Sequence, residues 1–193
     1  MPGRGGPDRA AARKARLERH AGETDADVVL NAAARFLEAR SRSVHEVRHQ
    51  LTQAAYPPAL VDRAVARLLE LGMLDDEAFA RGWVESRDRA HPRGRQVLRR
   101  ELSLKGIDRV TIEAVLEERE ASSVNEPVNE LAAERLLAKR AATLLRVADA
   151  RLRRQRAYVL LARNGFDADV CREVSTRFVS GHSAAEGDTD PDG

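Results

Sequence analysis

The sequence predicts an all-α protein made of three tandem three-helix repeats, and three observations lead to that reading. Between residues 24 and 179, apolar positions recur at three- and four-residue spacing, the period of a helix with one buried face. No alternating run is long enough, or rich enough in β-branched residues, to make a strand. Self-comparison exposes one string three times: Leu51-x-x-x-Ala55-Tyr56, Leu102-x-x-x-Gly106-Ile107 and Leu161-x-x-x-Gly165-Phe166. Each marks a helix ending, in which a small residue takes the left-handed position and the large apolar residue after it packs back on the last turn.

Taken in order, residues 1–23 mix Gly, Pro, Ala and Arg and are expected to form a disordered basic tail. The first repeat, residues 24–74, opens with a helix over about Asp25 to Ala39 that carries Phe36. A second helix follows with Val44, Val47 and Leu51 on its buried stripe, then a third that starts at Pro57 and buries Val61 and Val65. The second repeat, residues 75–121, has a helix over about Asp76 to Ala90 with Phe79 and Trp83 one turn apart, both expected in the core. Its last helix is capped by Asp108 and buries Ile112 and Val115. Residues 122–128, with Ser122, Ser123, Asn125 and Pro127, read as a linker. The third repeat, residues 129–179, begins with a helix over about Asn129 to Leu145 carrying Leu136 and Leu137, and ends with one that follows Asp167 and buries Cys171 and Val174. Residues 180–193 are expected to be a disordered acidic tail. Units of about 50 residues bury little core alone, so stacking them predicts an elongated, solenoid-like array.

Composition narrows the function. The longest stretch without Asp, Glu, Lys or Arg, His49 to Val61, falls well short of the roughly 20 apolar residues a membrane helix requires. Cys171 is the single cysteine, so an internal disulfide and a cysteine-based zinc cage are excluded. With no apolar signal core over Met1 to Gly6, a reduced, cytoplasmic protein is expected. The net charge of +2 hides segregation: Arg81 to Lys105 and Lys139 to Arg163 are arginine-rich, whereas Glu113 to Glu134 holds seven glutamates against Arg119 alone. An anionic partner fits this asymmetry, and solvated helix faces produce it too.

His45-Glu46-Val47-Arg48-His49 matches the zinc-hydrolase pattern HExxH, but on a helical wheel its histidines point away from the buried stripe and no third ligand follows at the usual spacing. Asp75-Asp76-Glu77 resembles a carboxylate cluster, and its place before Phe79 and Trp83 suits a helix cap better. Phosphate-cradling glycine loops and a nucleophile elbow are missing from the sequence, so neither an enzyme nor a cofactor or metal site is expected. The remaining signal is basic. On the middle helices the face away from the apolar stripe carries Arg42, His45 and His49, then Arg95 and Arg99, then Arg153, Arg156 and Arg163. Aligned by stacking, these would form a positive track suited to phosphates or an acidic groove.

The residues also resemble the RecX family of bacterial regulators of the RecA recombinase, over about residues 26–179. The first repeat contributes Ala39-Arg40-Ser41-Arg42-Ser43, Glu46-Val47 and Leu51. Leu71-Gly72-Met73-Leu74-Asp75-Asp76-Glu77-Ala78-Phe79-Ala80 is similar to the family's Gly-x-Leu-Asp-Asp-x-x-Phe-Ala signature, followed by Ser86-Arg87, Gly94 and Glu101-Leu102-x-x-Lys105-Gly106-Ile107. Arg163-Asn164-Gly165-Phe166 is similar to its terminal Arg-x-Gly-Phe. This resemblance implies a curved array in the groove of the RecA filament on single-stranded DNA. It also implies inhibition of RecA's ATP hydrolysis, strand exchange and coprotease activity, moderating recombination and the SOS response. A monomer is expected. Arg42, Arg95, Arg99, Arg153, Arg156 and Arg163 are the candidate contacts to RecA or DNA, and Leu74, Asp75, Asp76, Phe79, Gly106, Gly165 and Phe166 the structural signature. The alternative is a DNA-binding protein acting without RecA, because helix, short turn and helix recur as in helix-turn-helix readers.

Overall fold

The structure, a computed structural model, describes residues 6–121 and 127–186 and contains α-helices and no strand among them. They divide into two compact units: Met1–Phe79 with Lys105–Ile107, and Ala80–Leu104 with Asp108–Gly193. The linker expected at 122–128 lies outside the described residues except for Pro127 and Val128, which begin a helix. Among the described residues, no helix is long and apolar enough to cross a membrane.

The first unit holds α1 (Gly6–Ala21), α2 (Ala26–Glu38), α3 (Val44–Gln53) and α4 (Pro58–Glu70). Helix α1 corrects the expectation of a disordered tail. Its alanines and arginines are strong helix formers, Arg19 and His20 in the last turn complement the helix dipole, and Lys14 faces Glu18 one turn on. His20 fastens it: the ring stacks on Tyr56 with centroids 4.3 Å apart, and Nδ1 lies 2.8 Å from the Ala54 carbonyl oxygen. Helix α2 is capped by Asp25, which accepts from the Asp27 amide. Helix α3 starts with a capping box in which Ser43 Oγ accepts from the Glu46 amide and the Glu46 carboxylate accepts from the Ser43 amide. Val29, Ala33, Val47, Leu51, Val61, Val65 and Leu68 from these helices form one core with Leu74.

The turn after α3 explains the repeated string. Ala55 sits at φ 66°, its amide donates to Thr52 O and the Tyr56 amide to Leu51 O, the paired bonds that close a helix end. Gly106 and Gly165 take the same left-handed position at φ 78° and 84°. Gly106 is fixed twice over, because a Cβ there would lie 2.2 Å from the His45 Cβ. Residues 105–107 belong to the first unit through Ser43 Oγ, which donates to Lys105 O at 2.6 Å, and through Lys105 Nζ, 2.7 Å from Glu46.

Helix α5 (Asp76–Ala90) is capped as expected: Asp75 accepts from the Ala78 amide at 2.9 Å, while Asp76 accepts from the Val44 amide at 2.9 Å. The second unit continues with α6 (Arg95–Leu104), α7 (Arg109–Ala121), α8 (Val128–Leu144), α9 (Ala150–Arg163) and α10 (Ala168–Glu186). The acidic tail expected over 180–193 is therefore helical as far as Glu186, and the rest lies outside the described residues. Val84, Leu98, Leu102, Ile112, Val115 and Leu116 are buried, and Leu136, Leu137, Ala157, Leu161, Phe166, Cys171 and Val174 form a second core. Trp83, expected in the core, is half-buried and donates its indole N–H to Glu101 at 2.8 Å.

Most of the second repeat and the third lie in one compact unit. Their backbones meet: the Gly94 amide donates to Asn164 O at 2.9 Å and the Gln96 amide to Gly165 O at 3.3 Å. Only a glycine at 94 permits this, since a Cβ would lie 2.1 Å from Gly165 O. Arg119, buried, adds a paired contact to Asp88 and donates to Asn129 Oδ1 at 2.8 Å, and Lys139 donates to Ala90 O at 2.7 Å.

Candidate binding surface

The arginines selected by sequence fall into four physical states. Arg153 is buried at 3% exposure, so its assignment as a partner contact is corrected. It stands four and eight residues before Ala157 and Leu161, on the apolar stripe of α9, and its Nε–H donates to Val147 O at 2.9 Å, closing the turn that enters the helix. Arg42 lies in the connection before α3 rather than on a helix face. Its guanidinium sits 4.1 Å over the Phe36 ring and its Nε is buried without a partner among the described residues.

Arg95 and Arg99 are neutralised. Arg95 reaches Glu113 at 2.7 Å and Glu120 at 2.5 Å, and Arg99 reaches Glu113 at 2.6 Å. Hydrogen bonds from Arg99 and then Arg95 hold the Glu113 carboxyl down at about 2, and both guanidiniums are in turn pushed above their ordinary values by Glu113. Glu113 and Glu120 thus lie on α7 against the arginines of α6 and cancel their field locally. Their side chains differ in exposure, 20% for Arg95 and 44% for Arg99, but neither carries an uncompensated charge.

Arg156 and Arg163 are exposed and form no ion pair among the described residues. They belong to a helix with an unusual balance: α9 contains five arginines and no acidic residue. Its geometry sorts these into separate faces. Arg153, Ala157 and Leu161 point into the core. Leu152, Arg156, Val159 and Arg163 recur at helical spacing along one outer face, with Leu152 40% and Val159 38% exposed. Arg151, Arg154, Gln155 and Tyr158 line another face, toward α10. Leu152, Val159, Arg151 and Arg154 were not among the sequence candidates. The absence of acidic residues over 150–163 is the signal that could have found them.

The HExxH pattern forms no zinc centre in the described residues: His45 and His49 are exposed, their rings parallel with centroids 6.2 Å apart. Glu46, the would-be general base, is committed elsewhere; burial pushes its carboxyl up, and hydrogen bonds from Arg40, Lys105 and the Ser43 amide outweigh this and hold it at about 2. No group of three or more His, Cys, Asp or Glu is placed to hold a metal ion among the described residues. Cys171 is buried, and burial followed by the charge of Asp167 pushes its thiol up, away from nucleophilic use. The signature residues are structural: Leu74, Phe79 and Phe166 are buried, Asp75 and Asp76 hold helix starts, and Gly106 and Gly165 end helices.

These features define a class: an all-α protein of tandem three-helix repeats with exposed basic helix faces. Comparison with known proteins gives the family. Residues 30–68 match the profile of the first three-helix domain of RecX, and residues 75–116 that of the second. A regulatory protein RecX of Mycobacterium sp. (strain JLS) is 33% identical over 147 residues, 76% of this chain and 79% of that one. One from Chlorobium phaeobacteroides is 32% identical over 152 residues, 79% of this chain and 94% of that one. The crystal structure of RecX from Lactobacillus salivarius superposes with a TM-score of 0.68 at 20% identity, covering 79% of this chain and 96% of that chain. The chain belongs to the RecX family.

Proposed function

We propose that this protein binds the RecA filament on single-stranded DNA and mainly inhibits its ATPase, strand-exchange and coprotease activities, moderating recombination and the SOS response. The observation that carries this reading is the match, over most of their length, to proteins named regulatory protein RecX. It acts by binding rather than catalysis, as a monomer in the cytoplasm. Repeated helical units suit a polymeric partner, because several modest contacts on one scaffold act at high effective concentration.

The contact role passes from the neutralised Arg95 and Arg99, and from the buried Arg153, to the outer face of α9. Leu152, Arg156, Val159 and Arg163 combine exposed apolar surface with unpaired guanidinium groups, the mixture enriched in protein interfaces. The test is ATP hydrolysis by the same organism's RecA on single-stranded DNA, with this protein titrated to well below one copy per RecA. Substoichiometric inhibition that weakens in Arg156→Gln/Arg163→Gln supports the reading. No inhibition at any ratio refutes it.

A further inference from the structure

We infer that the pocket between the α5–α6 turn, α8 and α9 is a binding site for a small phosphate-class oxyanion: inorganic phosphate, pyrophosphate or the terminal phosphates of a free nucleotide. It has a volume of about 290 Å³, at the small end of the roughly 300–1,000 Å³ usual for ligand pockets. His91 and Arg93 line it from the turn after α5, Lys139 and Arg140 from one face of α8, and Asn164 from the end of α9. No carboxylate lines it. Exposed arginines without an ion pair are common in this unit, Arg156 and Arg163 among them, so a missing partner alone marks no site. This one is marked by convergence: basic groups borne by separate elements line one concavity, and one of them, Arg93, is half-buried with an unsatisfied buried donor.

Arg93 is oriented but not spent. Its Nη1 donates to Asn164 Oδ1, its buried Nε has no hydrogen-bond partner, and its Nη2 has none among the described residues. The Glu101 carboxylate stands 4.0 Å from Nε, beyond hydrogen-bond reach, and its other oxygen already accepts from Trp83 at 2.8 Å and Arg87 at 2.6 Å. Lys139 Nζ is fixed over the end of α5, 2.7 Å from Ala90 O and 3.4 Å from Arg89 O, which leaves its third N–H open. Arg140 is exposed and has no partner among the described residues, and the exposed His91 carries a ring N–H in either tautomer. A desolvated donor without an acceptor costs free energy that an oxyanion recovers. A lysine point charge beside arginine forks is a combination suited to phosphate. The donors converge from three elements instead of following one helix, with Leu136 and Leu160 beside them, which suits a compact anion over an extended strand. A bound anion would tie the turn of the second repeat to two helices of the third and stabilise the folded unit by mass action. Anion binding here needs no RecA, so it can fail or succeed independently of filament inhibition.

The experiment is isothermal titration calorimetry of the full chain with pyrophosphate, at an ionic strength held constant with sodium chloride. Wild type is expected to bind a single pyrophosphate saturably, and its circular dichroism melting midpoint should rise in the ligand's presence. Arg140→Gln should weaken binding about tenfold, the loss of one charge-assisted hydrogen bond. It should leave the ligand-free midpoint unchanged, because Arg140 has no partner among the described residues to lose. Arg151→Gln/Arg154→Gln, outside the pocket, should bind pyrophosphate as wild type does. Titrations with orthophosphate and with ATP distinguish the sources: tighter binding of ATP than of pyrophosphate assigns the pocket to a free nucleotide, and the reverse assigns it to the inorganic anion. No saturable binding by wild type, or wild-type affinity in Arg140→Gln, would overturn the proposal. Equal weakening in Arg151→Gln/Arg154→Gln would overturn it too, by reducing the effect to a diffuse positive field. So would displacement of pyrophosphate by oligo(dT) at equal phosphate concentration, which would make the pocket part of a strand path.

Discussion

Two glycines in the second unit should respond to the same substitution with opposite signs. Gly94→Ala introduces a Cβ 2.1 Å from Gly165 O, 2.2 Å from Gly165 C and 2.3 Å from Phe166 N. All three are backbone atoms, so no side-chain rotation relieves the overlap, and the segments must separate by about 1 Å to reach van der Waals distance. Overpacking of this kind costs roughly 1–3 kcal/mol. Separation also breaks the Gly94 to Asn164 and Gln96 to Gly165 backbone hydrogen bonds. At about 1 kcal/mol each, the total loss is about 3–5 kcal/mol. That is a large part of the roughly 5–15 kcal/mol that holds a typical domain together. Gly82, inside α5, has nothing within 4 Å of its Cβ position. Gly82→Ala should therefore stabilise by about 0.5–1 kcal/mol through backbone entropy alone. Urea unfolding followed by circular dichroism measures both. A Gly94→Ala protein within about 1 kcal/mol of wild type would refute the close backbone approach as a source of stability.

Other outcomes follow from the polar contacts. Ser43→Ala removes an N-cap acceptor and the donor to Lys105 O, so a loss of about 2 kcal/mol is expected in the same unfolding measurement. Arg153→Met strips a buried donor from Val147 O and should cost about 1.5–3 kcal/mol, whereas the exposed Arg156→Gln should stay within about 0.5 kcal/mol of wild type. Glu46 and Glu113 have carboxyls held at about 2 in the folded chain against an ordinary 4.5. A depressed folded value contributes stability above the unfolded value, and that stability is lost as pH falls. Thermal midpoints should therefore decline between pH about 4.5 and about 2, and Glu46→Gln should flatten that decline.

The helices and their endings were legible in the sequence because they are local. Ser43 and Glu46 three residues apart make a capping box from neighbouring atoms alone, and the Leu-x-x-x-small-apolar string fixes a left-handed turn whether the small residue is Ala55 or Gly165. Helical periodicity likewise found Val61, Val65, Ile112, Val115, Cys171 and Val174, all of them buried. Helix α1 was missed because a composition read as disordered is also rich in helix formers, and its anchor, His20 on Tyr56, spans distant positions in the chain. The binding surface was the least legible part. A wheel shows which residues leave the apolar stripe, but whether an arginine is free depends on the helix packed beside it. Only the tertiary structure brings Glu113 and Glu120 onto Arg95 and sets Arg151 and Arg154 across from Arg172 with no carboxylate between them. A charge is cancelled or left open by neighbours within a few ångströms, and those neighbours are chosen by packing rather than by sequence order.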